Sequence, residues 1–281
     1  MLFERSRGPA GLVALVLGAA LLALALVRVA FLRPALPSAE EGRRLAERSG
    51  CFGCHGAEAG KGAPNLGAKD PVPSFTGGVL MMDTPQGAPQ VRDWILLGTV
   101  GIERREAEEA RQDSLRRARA GLPPAAESPP EHPALRMPAY ARRFSAREVD
   151  RLVDFALAQG LWGADSAPAG VRHGLEVARR AGCFSCHGPL GLFARPDPGS
   201  VKGYIPAWRG LDAVELVRSP AEFGQWVRNG WPDRFVHQAI ANWFLHHEAV
   251  RMPAFKDRLT DGEVAALDSL FLWVRAGHGG R

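Results

Sequence analysis

All four cysteines of this 281-residue chain fall in two copies of one five-residue pattern. The copies are Cys-Phe-Gly-Cys-His at residues 51–55 and Cys-Phe-Ser-Cys-His at residues 183–187. A four-thiolate zinc site would have to draw together pairs that are 132 residues apart in the chain. Neither zinc binding nor a redox disulfide explains why a histidine follows each second cysteine. Four cysteines are also too few for a disulfide scaffold in a chain of this length.

The spacing within each copy suits the covalent attachment of a haem. Two thiols three positions apart on one turn can each add to one of the two vinyl groups of a haem, and the adjacent histidine is then held beneath the iron. The sequence therefore predicts two c-type haems, each bound by two thioethers and one imidazole: Cys51, Cys54 and His55 for the first, and Cys183, Cys186 and His187 for the second.

The two copies belong to a longer internal repeat. Gly42 and Gly174 each stand nine residues before the first cysteine, and the pattern Trp-x-x-x-Gly recurs at residues 94–98 and 226–230. Arg-Met-Pro-Ala recurs at residues 136–139 and 251–254. A capping-box pattern follows each methionine, at residues 145–148 and 260–263, and predicts the start of a closing amphipathic helix. The repeat indicates two domains of common origin that differ in internal length.

The N-terminal region predicts a membrane anchor. Residues 8–27 carry no charged side chain, and a helix of about 20 residues spans the roughly 30 Å hydrocarbon layer of a bilayer. A cleaved signal peptide is the alternative, but its apolar region is shorter, and the best cleavage candidate here, at residues 37–39, contains a proline where a small residue is expected. We expect a cytoplasmic segment at residues 1–8, a transmembrane helix at 9–32 and a linker at 33–40.

Composition narrows the classes further. A hydrophobic content of 46% excludes wholesale disorder. The net charge is +5, but lysines and arginines are not gathered into one face with interleaved aromatic residues. A nucleic-acid partner is therefore not expected.

Each half of the chain resembles a class I cytochrome c domain, with an entry helix, the Cys-x-x-Cys-His motif, a middle helix, a Met-Pro loop and a closing helix. The resemblance covers residues 41–160 and 172–278. It implies an all-α fold, in which an N-terminal transmembrane helix is followed by two tandem cytochrome c-like domains. We expect these domains at residues 41–163 and 171–281, joined by a linker at residues 164–170.

In this family a methionine sulfur is the second axial ligand of the iron. The resemblance therefore pairs His55 with Met137, and His187 with Met252. Met252 is the only methionine after the second motif, whereas in the first half Met81 and Met82 compete with Met137. A histidine ligand for the second iron is the alternative, and three residues are candidates for it: His237, His246 and His247.

The resemblance also indicates residues that pack on the haems. In the family, a proline-loop carbonyl receives the ring N–H of the iron-ligating histidine and fixes its orientation. This role falls to Pro64 in the first half and, with a longer spacing, to Pro206 in the second. Trp94 and Trp226 are candidates either for a propionate contact through the indole N–H or for simple core packing.

Two segments make the halves longer than a minimal class I cytochrome c domain. The excess in the first half, at residues 103–133, begins with alternating charges and ends rich in proline, which predicts a solvated helix followed by a surface loop. The segment at residues 231–250 contains four aromatic residues. It is expected to shield one face of the second haem.

The resemblance implies a membrane-anchored dihaem cytochrome that relays single electrons in a bacterial respiratory chain and is not an enzyme. It would be a single-pass protein of the inner membrane with its haem domains in the periplasm. Its partners would be a redox donor and a redox acceptor, such as a quinol-oxidising complex and a terminal oxidase or reductase. The alternative is a dihaem enzyme such as a peroxidase, in which one iron opens to substrate.

Overall fold

The computed structural model describes residues 9–31, 36–76, 79–125 and 131–278, and in its first helix the described side chains are those of residues 11–25. The described residues form an all-α fold. No helix among them is found to combine the length and the hydropathy that a membrane crossing requires. The predicted cytoplasmic segment at residues 1–8, the last residue of the predicted transmembrane helix, residue 32, and the start of the predicted linker at residues 33–35 lie outside the described residues.

Two 3₁₀ turns, Ala57–Ala59 and Pro189–Gly191, directly follow the two cysteine motifs. The α-helices of the described residues are, in chain order, α1 Pro9–Phe31, α2 Ser38–Arg48, α3 Phe52–His55, α4 Val79–Asp83, α5 Ala88–Arg119, α6 Ala146–Gln159, α7 Ala169–Arg180, α8 Cys183–His187, α9 Leu211–Leu216, α10 Pro220–Asn229, α11 Asp233–Val236, α12 Ala239–His247 and α13 Asp261–Arg275.

The first and last helices of each half cross at a glycine. Gly42 of α2 faces α6, where an added Cβ would stand 1.8 Å from the Arg151 carbonyl oxygen. Gly174 of α7 faces α13, where an added Cβ would stand 2.1 Å from the Ala266 carbonyl oxygen. Only a residue without a side chain allows the backbones to approach so closely. The same crossing is therefore built twice, as the internal repeat predicts.

Both predicted capping boxes are present. The Ser145 hydroxyl accepts a hydrogen bond from the Glu148 amide, and the Glu148 carboxylate accepts one from the Ser145 amide at 2.9 Å. Thr260 and Glu263 make the same reciprocal pair at the start of α13, where the carboxylate contact is 2.8 Å. The apolar faces predicted for the two closing helices are buried: Val149, Leu152, Val153 and Ala156 in α6, and Val264, Leu267, Leu270 and Phe271 in α13.

The middle helix of each half reaches a glycine with a positive φ. Helix α10 ends there, because Gly230 (φ 84°, ψ −16°) forms a left-handed cap. In α5, Gly98 (φ 61°, ψ −178°) interrupts the helical geometry, but the chain then resumes a helix that continues to Arg119. Most side chains of this continuation are exposed. The solvated helix predicted for the first part of residues 103–133 is therefore confirmed.

The two halves share one core. Their buried apolar side chains form a single cluster that includes Ala164 and Ala167, both within the segment predicted as a linker. The rings of Phe155, in α6, and Phe193, beyond α8, lie 5.9 Å apart between centroids. The halves are therefore packed against each other through apolar side chains.

Candidate functional site

The histidine of each cysteine motif directs its Nδ1 atom at a proline carbonyl oxygen. His55 Nδ1 lies 2.8 Å from the Pro73 oxygen, and His187 Nδ1 lies 3.1 Å from the Pro206 oxygen. The second contact is made at the residue expected from the sequence. The first is not, because Pro64 is exposed and the bond goes to Pro73 instead. Since Nδ1 is engaged, Nε2 is the ring atom of each histidine that remains able to bind a metal.

An aromatic ring two residues beyond each proline packs against the imidazole. The centroid of Phe75 is 4.9 Å from that of His55, and the centroid of Trp208 is 5.5 Å from that of His187. Burial lowers the pKa of both imidazoles, while the bond to the proline carbonyl acts in the opposite direction. Both rings are therefore held neutral near pH 7, which is the form that binds a metal.

The repeated Pro-x-aromatic pattern is a signal that sequence reasoning missed. It stands at residues 73–75 and 206–208, and its proline follows the motif histidine by 18 residues in the first half and 19 in the second. Pro64 was favoured because its local sequence resembles the family's loop. The segment around Pro64 has another role, since the Asn65 side chain makes two hydrogen bonds to the backbone of Leu135, at 2.8 and 3.0 Å. These bonds hold the chain two residues before Met137.

All four cysteines are free thiols. Cys51, Cys183 and Cys186 are half-buried, whereas Cys54 is exposed. Burial raises the pKa of the Cys51 and Cys183 thiols, so they are held protonated near neutral pH. The motifs form the short helices α3 and α8, each closed by a glycine with a positive φ, Gly56 at 78° and Gly188 at 69°.

A cavity of about 670 Å³ opens beside the second motif. Its walls carry two thiols, one imidazole and one thioether, from Cys183, Cys186, His187 and Met252. Much of the remaining wall is apolar or aromatic, which is typical of cofactor sites of this volume. The segment at residues 231–250 supplies part of that wall through Phe235 and Phe244. These two aromatic residues therefore line the cavity, and the shielding of a haem face by this segment stays a prediction.

The loops that carry Met137 and Met252 are fixed to the middle helices in the same way. Tyr140 lies three residues after Met137, and its amide donates a hydrogen bond to the Ile95 carbonyl of α5 at 3.0 Å. Met252 precedes Phe255, whose amide donates to the Val227 carbonyl, also at 3.0 Å. Both methionines are half-buried and pack against the core.

The glycine with a positive φ that each middle helix reaches lies under the methionine of its half. An added Cβ would stand 2.5 Å from the Met137 carbonyl oxygen at Gly98, and 2.5 Å from the Met252 carbonyl oxygen at Gly230. In the first half, Thr99 adds two bonds to Met137. Its amide donates to the Met137 carbonyl at 2.9 Å, and its hydroxyl accepts from the Met137 amide at 2.8 Å.

Of the five competing candidates for an iron ligand, four have exposed side chains. Met82 is 74% exposed, and the side chain of Met81 lies outside the described residues. The three alternative histidines are exposed, and none of them lines the cavity that contains Met252: His237, His246 and His247.

The two tryptophans differ in their surroundings. Trp226 lines the cavity, but its indole N–H donates to the Leu216 carbonyl at 2.8 Å. Because this N–H is already engaged, the structure favours the packing alternative for Trp226 over the propionate contact. Trp94 is half-buried in α5, and its predicted contact with a haem stays a prediction.

Two acidic residues stand at the edge of the cavity. Asp197 is 3% exposed and accepts a hydrogen bond from the Val250 amide at 2.9 Å. Burial and the neighbouring Asp197 carboxylate raise the pKa of Glu248 to about 7, against the opposing effects of Arg251 and His246. Glu248 therefore changes its charge near neutral pH.

A charge pair lies at another point of the same cavity. Lys202 makes ion pairs with the buried Asp212 and with Glu215. The Tyr204 hydroxyl donates to Asp212 at 2.6 Å. Asp212 is thereby paired with a cation and a hydroxyl, as a buried carboxylate requires.

Comparison with known proteins found no match for this chain among protein-family models, curated proteins or solved structures.

Proposed function

We propose that the chain is a membrane-anchored dihaem c-type cytochrome that relays single electrons. The observation that carries this proposal is the cavity of the second half, where two thiols, a neutral imidazole and a thioether line one largely apolar space. These are the groups that hold a haem c with histidine and methionine as axial ligands. The residues present therefore fit the proposed cofactor.

The first half supports the proposal through its equivalent contacts. His55 has a proline carbonyl and an aromatic ring as neighbours, as His187 does. Met137 lies over Gly98 as Met252 lies over Gly230. Cys51 and Cys54 would attach the first haem, and Cys183 and Cys186 the second.

The chain's own residues would define the chemistry of each site. Each proline carbonyl orients an imidazole and fixes its tautomer. Each Met-Pro loop is held by backbone bonds, so that its methionine sulfur could be the second protein ligand of the iron. A bound haem would supply reversible one-electron transfer, and methionine ligation would favour its reduced state. An iron held by both a histidine and a methionine would have no position left for a substrate.

The proposed anchor is α1. Its residues 9–27 belong to the run of residues 8–27 that has no charged side chain, and its large described apolar side chains are exposed, among them Leu12 at 67% and Leu15 at 70%. Exposed leucines over several turns of one helix call for an apolar surrounding. We propose that this surrounding is the bacterial inner membrane, with the haem domains in the periplasm near a redox donor and acceptor.

The test is expression of the full chain in a bacterium that attaches haem c. We expect two covalent haems per chain by mass spectrometry, and a ferric spectrum with the near-infrared band that marks methionine ligation. Met137→Ala and Met252→Ala should each remove about half of that band and leave both haems attached. Met82→Leu, at an exposed methionine, serves as the matched control and should leave the band intact.

The competing function gives a different result. An iron that lacks the methionine band, or that loses methionine on reduction, together with turnover of hydrogen peroxide, would replace the carrier by a dihaem peroxidase. A chain that carries no covalent haem would overturn both functions.

A further inference from the structure

Three phenylalanine rings connect the two motif histidines. The centroid of Phe75 lies 4.9 Å from that of His55 and 5.9 Å from that of Phe155, and Phe155 lies 5.9 Å from Phe193. The Phe193 amide then donates to the carbonyl oxygen of His187 at 3.2 Å. The ring centroids of His55 and Phe193 are therefore at most about 17 Å apart.

This line of phenylalanine rings, Phe75, Phe155 and Phe193, passes from one half to the other inside the shared core. Phe155 and Phe193 are each only 1% exposed. The Phe193 ring also covers Gly188, the residue after His187, where an added Cβ would stand 2.4 Å from a ring carbon. The path from Phe155 to Phe193 therefore runs through closely packed atoms from which water is excluded.

A polar contact lies directly beside the crossing. The Arg195 guanidinium donates to both carboxylate oxygens of Glu58, at 3.1 and 3.3 Å. Gln159, one turn beyond Phe155 in α6, donates to the Glu58 carbonyl at 2.9 Å. Glu58 is three residues after His55, and Arg195 is two residues after Phe193. A bidentate pair of this kind constrains orientation as well as distance.

We propose that these five residues, Glu58, Phe155, Gln159, Phe193 and Arg195, form a domain seam that holds the two haem sites at a fixed separation and carries electrons between them. The inference rests on the proposed function. In the proposed electron transfer between the two sites, the iron held by His55 would go from ferrous to ferric and the iron held by His187 from ferric to ferrous, or the reverse. One electron moves, and no bond forms or breaks and no proton is transferred.

The physical reason is that electron tunnelling weakens steeply with distance and is slower across a void than through packed atoms. Replacing a phenylalanine of the seam by leucine leaves an apolar side chain but opens a gap in the line. Removing the Glu58–Arg195 contact should instead loosen the orientation of the two halves. The two kinds of change therefore have separable effects.

The test uses the full chain with both haems attached, in detergent. Pulsed electron paramagnetic resonance between the two ferric irons reports the distribution of their distances. The rate of electron redistribution after a photochemical pulse reports the transfer step. We expect one narrow distance distribution and a rate that does not depend on protein concentration.

Phe155→Leu and Phe193→Leu should slow the redistribution several-fold while the distance distribution stays narrow. Phe144→Leu is the matched control, because Phe144 stacks on Tyr140 at 4.9 Å in the first half, away from this line. Arg195→Glu should broaden the distance distribution, and Arg195→Glu combined with Glu58→Arg should narrow it again.

Two results would overturn the inference while leaving the proposed function in place. One is a broad distance distribution in the unaltered chain. The other is an unchanged transfer rate in both seam phenylalanine variants, with both haems attached and both methionine bands present. Loss of a haem or of a methionine band in the unaltered chain would instead overturn the proposed function.

Discussion

Gly230 and Met252 pack so closely that a Cβ on the glycine would lie 2.5 Å from the methionine carbonyl oxygen. Gly230 also has a φ of 84°, a conformation that other residues rarely adopt. Both constraints make the glycine a support for the loop that carries the proposed ligand. The same relationship joins Gly98 and Met137.

Gly230→Ala should therefore displace the Met252 loop. We expect a loss of about 1–3 kcal/mol of stability in the second half, from the positive φ and the contact with the carbonyl. The methionine band of the second haem should weaken while the haem stays attached. Gly262→Ala, at a glycine with no atom within 4 Å of its added Cβ, should leave the spectrum unchanged. Equal spectra for the two variants would refute this role of Gly230.

Gly174→Ala should disrupt the crossing of α7 and α13. An added Cβ would stand 2.1 Å from the Ala266 carbonyl oxygen, so the helices must separate at a cost of about 3 kcal/mol or more. Gly170→Ala, one turn earlier in α7, would meet only Ser269 Oγ at 3.8 Å and should be neutral or slightly stabilising. Denaturant unfolding of the holoprotein measures both, and similar midpoints would contradict the prediction.

Thr260→Ala should remove the capping box of α13. Loss of a hydroxyl N-cap costs about 1 kcal/mol, and Thr260→Ser should restore most of it because the hydroxyl is retained. Ser269→Ala removes a hydroxyl that bonds back to the Ala265 carbonyl of the same helix, and it should change the stability by less than about 0.5 kcal/mol. Thermal unfolding monitored by circular dichroism compares the three. A Thr260→Ala variant as stable as Ser269→Ala would show that the box does not stabilise the helix.

The stability of the folded chain should fall as Glu248 ionises. Because the pKa of Glu248 is raised to about 7 in the fold, the folded state holds a proton there that the unfolded state releases at lower pH. This contribution is fully present below the ordinary carboxyl pKa and is lost as the pH rises to about 7. Glu248→Gln should flatten that part of the curve of unfolding free energy against pH.

Glu109→Gln provides the control for this titration, because Glu109 is an exposed carboxylate of α5. It should leave the slope of the curve as it is in the unaltered chain. Parallel curves for the unaltered chain and Glu248→Gln between pH 5 and about 7 would contradict the assignment to Glu248.

Patterns that depend on neighbours in the chain were predictable. The capping boxes at Ser145 and Thr260 are formed by residues three positions apart, so the sequence contains both partners. The buried faces of α6 and α13 follow from the spacing of apolar residues in a helix. The repeat placed a glycine at equivalent positions of the two halves, and Gly42 and Gly174 are both found where the first and last helices cross.

Contacts that depend on loop paths were not predictable in the same way. Which proline carbonyl reaches His55 is decided by how residues 56–76 fold back, and the local resemblance around Pro64 did not contain that information. The Glu58–Arg195 pair joins residues that are 137 positions apart, in two halves that the sequence predicts as separate domains. The indole N–H of Trp226 donates to the Leu216 carbonyl because the chain folds back between the end of α9 and the start of α10.

Gly98, which interrupts α5, and Gly230, which ends α10, differ mainly in one backbone torsion. Their ψ values are −178° at Gly98 and −16° at Gly230. The backbone bonds from Ile95 and Val227 to the methionine loops are made before the chain reaches either glycine. A rotation about one backbone bond can therefore send the chain onto a different route without disturbing the loop. The chain beyond Thr99 is thus a natural place for this architecture to accept inserted sequence, and the second half offers the equivalent place after residue 230.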